Sequence, residues 1–109
     1  MKEFGFFKGM EYDECEESFD DFRGHKNKLS KKQVLEYLRK LEPALAPMVL
    51  THDIFTGERL SSPPGVFYDG EFCFPIDFIH YFEKYDIGIP LEYEEYLITE
   101  KGIIPEKGE

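Results

Sequence analysis

The chain has 109 residues, 41% of them apolar, 33% charged and 17% aromatic, with eleven Phe, seven Tyr, no Trp and a formal net charge of −10. That aromatic content excludes a disordered chain, and the length allows one core and little more. No apolar run approaches the eighteen or so residues of a membrane span, the two cysteines, Cys15 and Cys73, cannot build a disulfide framework, and Met1-Lys2-Glu3-Phe4-Gly5 lacks a signal-peptide apolar stretch, so a single cytoplasmic domain over 1–109 is expected.

Residues 1–10 predict a short strand, with Phe4 and Phe6 on one face and Phe7 opposite by the two-residue period. Residues 11–29 show no clean period and read as an acidic and basic loop, holding at most one helical turn around Phe19 and Phe22. Ser30 and Gln33 form a capping-box pattern, and Val34, Leu38 and Leu41 recur at helical spacing, which predicts a helix over about 31–41, stopped by Pro43 and Pro47. The stretch 48–56 is β-branched and apolar and predicts a strand ending in a turn at Thr56-Gly57-Glu58.

Asp69-Gly70 between alternating hydrophobic residues predicts a two-residue hairpin over 66–74. Its register would pair Tyr68 with Glu71, Phe67 with Phe72 and Val66 with Cys73, and would point Phe67, Phe72 and Phe74 into the core. Pro75 suits a first helical position and Asp77 suits a helix N-terminus, so a helix is expected to Tyr85, broken at Asp86-Ile87-Gly88. Pro90 opens a second helix, Leu91 to Thr99, with Tyr93, Tyr96 and Leu97 on one face, and 105–109 read as a frayed tail. The order predicts an α+β fold: a small antiparallel sheet of three to four strands with a central Asp-Gly hairpin, covered by two to three helices.

Charge is segregated along the chain. Residues 11–21 hold seven acids and no base, residues 22–41 hold seven bases against Glu36, and residues 42–109 hold fourteen acids against Arg59, Lys84, Lys101 and Lys107. The N-terminal acidic and basic blocks nearly cancel, and the simplest expectation is that they neutralise one another as a solvated surface. The surplus negative field of the C-terminal half repels nucleic-acid phosphates and anionic lipids and attracts cationic proteins.

Chemical motifs are sparse. His52-Asp53 is an adjacent pair of the kind used by metal-dependent phosphohydrolases, but further ligands at helical spacing are missing, and in a strand the two side chains would face opposite ways. His25 falls in the basic loop and His80 in an aromatic helix. Asp69-Gly70-Glu71-Phe72-Cys73 has the acids of a nuclease core, yet Cys73 stands where the lysine is needed. Cys15 lies among carboxylates, which blunt a thiol, and no phosphate loop, GxSxG or HExxH occurs. The expectation is a protein with no catalytic residues, metal or cofactor. Binding is the sharper reading, with acids interleaved among aromatics as in an interface hot spot: Glu14, Glu16, Glu17, Phe19, Asp20 and Asp21, together with Glu92, Tyr93, Glu94 and Glu95.

The stretch Asp69-Gly70-Glu71-Phe72-Cys73-Phe74-Pro75-Ile76-Asp77-Phe78, followed by Tyr81 and by Tyr85 to Tyr93, with Thr56-Gly57-Glu58 ahead of it, resembles a pattern in small bacterial proteins of the toxin-immunity type, including those of contact-dependent growth inhibition. The likeness covers roughly residues 53–97 and rests on turn, cap and packing positions. It implies a protein that masks a cognate toxin domain, with no nucleic-acid or membrane partner, as a monomer or weak dimer. The alternatives are a small metal-dependent hydrolase using His52 and Asp53, and a homo-oligomeric structural protein that hides its aromatic surplus in a self-interface.

Overall fold

The structure is a computed structural model and describes residues 2–10, 15–45, 51–60 and 65–106. Among these, β1 (Lys2–Glu3), α1 (Phe19–Arg23), α2 (Lys31–Leu38), β2 (Ala44–Leu45), β3 (Gly65–Asp69), β4 (Phe72–Pro75), α3 (Asp77–Lys84) and α4 (Leu91–Thr99) follow in chain order. The strands form one sheet in the order β1-β4-β3-β2. The α+β class is as expected. The sheet is mixed, because β1 runs parallel to β4 while β2, β3 and β4 pair antiparallel.

The expected ten-residue opening strand is two residues long. Gly5 takes φ +83° and ends the extended run, so Phe4 and Phe7 both turn inward instead of facing opposite ways, and Phe6 is left half-buried. α1 is the single turn expected around Phe19 and Phe22. α2 carries the capping box in full: Gln33 N–H donates to Ser30 Oγ, and Ser30 N–H donates to the Gln33 side chain. It stops at Leu38 rather than 41, because the amides of Lys40 and Leu41 reach back only three residues, to Tyr37 and Leu38. α4 has the bounds the sequence predicts.

The hairpin exists in a different register. Val66 faces Pro75, Phe67 faces Phe74, Tyr68 faces Cys73 and Asp69 faces Phe72. The turn residues are therefore Gly70 and Glu71, one place later than Asp69-Gly70. Gly70 sits at φ +63°, and a Cβ there would come within 2.6 Å of the Tyr96 hydroxyl, so the first turn position admits glycine alone. The shift keeps the side-chain alternation in phase, so Phe67, Phe72 and Phe74 remain on one face, and it brings Asp69 onto that face with them. Pro75, expected to open α3, instead closes β4.

The strand expected over 48–56 is corrected: residues 51–60 form a tight loop, while 48–50 lie outside the described residues. The Asp53 carboxylate accepts from the amides of Phe55 and Thr56, and its carbonyl accepts from Gly57, so side-chain hydrogen bonding overrides β-propensity. A single bridge, His52 to Arg59, remains of the strand. β2, directly after the helix-stopping Pro43, has no counterpart among the elements that the sequence predicts.

The core is aromatic. Phe4 stacks on Phe74 at 4.7 Å and meets Phe78 of α3 edge-on at 5.3 Å. Tyr93 of α4 packs against Phe72 and Phe74, and Phe7 meets Phe19, Phe22 and Tyr81 edge-on. Helices α3 and α4 thus cover the inner face of the sheet. Of the expected tail, Glu106 is tied to the start of α2 by Ser30 Oγ at 2.8 Å, and Gln33 donates to the carbonyl of Ile104; residues 107–109 lie outside the described residues. No helix among the described residues is long and apolar enough to cross a membrane.

Candidate functional site

Two buried aspartates organise the polar interior. Asp53 is 1% exposed. Besides its two amide bonds, its Oδ2 accepts from His80 Nε2 at 2.7 Å and from the Tyr85 hydroxyl at 2.8 Å, with Lys84 Nζ at 3.8 Å. Burial alone would raise this carboxyl, but the His80, Phe55, Tyr85 and Thr56 donors outweigh it and hold the pKa down at about 2. Burial and the Asp53 hydrogen bond in turn push the Tyr85 phenol up to about 12. The histidine that reaches Asp53 is His80 on α3, and both carboxylate oxygens are engaged by protein donors. Among the described residues no group of three or more His, Cys, Asp or Glu is placed to hold a metal ion. The Asp53 cluster fastens the 51–60 loop to α3.

A pH dependence follows. The folded-state pKa of Asp53 lies below the ordinary aspartate value of about 3.9, so its contribution is complete above pH ~4 and fades as pH falls towards 2. About two pKa units correspond to roughly 2.6 kcal/mol at neutral pH. Urea unfolding of the wild type and Asp53→Asn at pH 7 and pH 2 is expected to show a stability gap that closes by about that amount at the lower pH. A gap of constant size would contradict the assignment.

The candidate binding residues separate into two groups. Tyr93 and Glu94 are corrected to buried positions: Tyr93 is 0% exposed and packs on Phe4, Phe72 and Phe74, and the Glu94 carboxylate accepts from the Leu29 amide at 2.9 Å. Phe19 is buried too, against Phe7 and Tyr81. Glu14 lies outside the described residues. Asp20 is exposed and pairs with Arg23 at 3.6 Å. Asp20–Arg23 joins the acidic and basic blocks, whereas Arg39 of the basic block pairs with Glu83.

The remaining five, Glu16, Glu17, Asp21, Glu92 and Glu95, line a row of neighbouring grooves that share lining residues, together termed the furrow. Three adjoining grooves, of about 310, 470 and 500 Å3, compose it. The first lies between Glu3, Phe6, Glu16 and Glu17. The second shares Glu3 and Glu17 with it and continues past Asp21, His25 and Glu92 over Phe4, Phe22 and Phe72. The third shares Lys2, Phe72 and Glu92 with the second and reaches Glu71, Glu95, Tyr96 and Glu100. Eight carboxylates and one lysine thus line a furrow floored by aromatic rings.

Chain topology makes this furrow. β1 pairs with β4, which brings Lys2 and Glu3 beside Phe72 and Cys73. Residue Glu17 bridges in parallel to Phe7, with Lys8 N–H donating to the Glu17 carbonyl and Glu17 N–H to that of Phe6, and this lays the N-terminal acidic block along the opening segment. Partial burial pushes the Glu17 carboxyl up, against the pull of the Phe6 and Gly5 amides. The sequence pattern missed Glu3, Glu71 and Glu100, since no local period announces a parallel pairing seventy residues away. No family model, curated protein or solved structure matches the chain.

Proposed function

We propose that this chain is a small acidic inhibitor of the immunity type, which binds a cognate cationic toxin domain through the furrow and acts in the cytoplasm as a monomer or weak dimer. One observation carries the reading: two acidic segments more than seventy residues apart converge on a single groove with an aromatic floor. Like charges gathered this way repel one another, so the fold tolerates a destabilising arrangement that a cationic partner relieves. Clustered carboxylates steer encounter with such a partner, and the half-buried Phe6 and Tyr96 rings supply apolar contact once water is expelled.

The test is growth rescue. Each product encoded beside this gene that carries a basic domain is expressed in a bacterial host with and without the chain. Rescue of growth together with co-purification of the pair is expected. Toxicity that persists in the presence of the folded chain, or a neighbouring product that does not associate with it, would contradict the proposal.

A further inference from the structure

Four large apolar side chains among the described residues are more than half exposed: Phe55, Tyr68, Leu91 and Ile104. Leu91 opens α4, and it does not stand alone. Two turns on, the half-buried Ile98 lies on the same outward face of the helix. With Lys28, Glu94, Glu95 and Thr99 they line a groove of about 370 Å3. It adjoins the furrow only through Glu95 and Thr99, which line both.

The two flanks of this apolar stripe carry opposite charge. The Leu29 amide donates to the Glu94 carboxylate at 2.9 Å, which sets Lys28 on the Glu94 flank of α4. Glu95 projects about 100° further round the helix, towards the flank of Glu92 and Thr99. Lys28 and Glu95 are both exposed, and neither joins an ion pair among the described residues. Base, apolar stripe and acid in that order make a self-complementary surface. A two-fold axis through the stripe runs two α4 helices antiparallel, sets Leu91 over Ile98 of the second copy, and brings each Lys28 against the other copy's Glu95.

We propose that the chain self-associates as a two-fold dimer through the Leu91–Ile98 face of α4, and that the second copy's Lys28 engages Glu95 at the rim of the furrow. The dimer stands on the groove itself. Its bearing on the furrow rests on the reading as a binder of cationic proteins: a second copy and a cationic partner compete for Glu95, so self-association and partner binding oppose each other. The contact is small and each copy carries a net charge of −10, so a dissociation constant on the order of 100 µM is expected.

The experiment is sedimentation velocity of the full chain from about 10 µM to 1 mM, where a coefficient rising towards that of a dimer is expected. Leu91→Asp places an acid that a first helical turn accepts, and it is expected to weaken the dimer at least about tenfold with an unchanged melting curve. Lys28→Glu and Glu95→Lys each set like charges across the axis and are expected to weaken it about fivefold. Lys28→Glu/Glu95→Lys has the wild-type net charge and is expected to return to within about twofold of the wild type. The proposal is overturned by a monomer at the highest concentration, by indifference to Leu91→Asp, by a double variant as weak as the single ones, or by amide shifts that place the contact at Phe55 or Tyr68. A groove that serves a different protein leaves the chain monomeric by itself and overturns it too. A monomer that still rescues growth would sink this inference and leave the proposed function standing. A dimer restored by the charge swap, with no rescue by the chain, would do the reverse.

Discussion

Asp69→Ala is expected to destabilise the fold by about 4 kcal/mol, the largest effect of any single polar substitution here. The Asp69 carboxylate is 4% exposed and accepts from three phenols: Tyr37 of α2 at 2.7 Å, Tyr93 of α4 at 2.8 Å and Tyr96 of α4 at 3.2 Å. Lys101 Nζ stands at 4.0 Å. Hydrogen bonds to a charged acceptor contribute about 1.5 kcal/mol or more each, and removing the acceptor leaves hydroxyls desolvated without a partner. Burial, followed by the negative charge of Asp69, pushes Tyr93 well above the ordinary phenol range, and burial with the Asp69 hydrogen bond does the same for Tyr37. Both phenols therefore remain donors at any pH the protein meets. Asp69→Asn keeps one acceptor oxygen and is expected to lose about half as much. Urea denaturation with a common m-value checks both; a loss under about 1 kcal/mol for Asp69→Ala would show that the three phenols find other partners.

The second large effect is kinetic. Asp21→Asn/Glu92→Gln/Glu95→Gln removes three charges from the furrow and is expected to slow association with a cationic partner domain about tenfold at low salt. Stability should change little, because the three side chains are exposed and none fills a core position. A matched variant, Glu36→Gln/Glu42→Gln/Asp86→Asn, has the same net charge and should slow association far less, since its charges lie away from the three grooves.

The same two clusters show where sequence reading succeeds and where it stops. Local chemistry was legible: the Ser30–Gln33 box, the bounds of α4, the Gly57 turn and the inward set Phe67, Phe72 and Phe74 all follow from short-range pattern. The hairpin register was not, because Asp69 and Gly70 satisfy the local turn rule equally well one place earlier. What moves the turn is tertiary, with three phenols from two distant helices claiming the Asp69 carboxylate. Asp53 misled for a related reason. Its neighbours favour a strand, but one buried carboxylate meeting two amides, His80 and Tyr85 imposes a loop. At the furrow the sequence supplied the acidic segments and could not sort them: Glu92 and Glu95 face outward, while Glu94 turns in to cap the Leu29 amide. The convergence itself depends on β1 lying parallel to β4, which no periodicity encodes.

The proposed function is tested most directly by the association rate of the chain with a cationic domain that it protects against, followed by stopped-flow fluorescence from about 20 to 500 mM salt. The expected result is a rate that falls steeply with salt for the wild type and for the matched surface variant, and a slow, shallow dependence for the furrow variant. Identical salt profiles for all three proteins would mean that the gathered carboxylates play no part in meeting a partner.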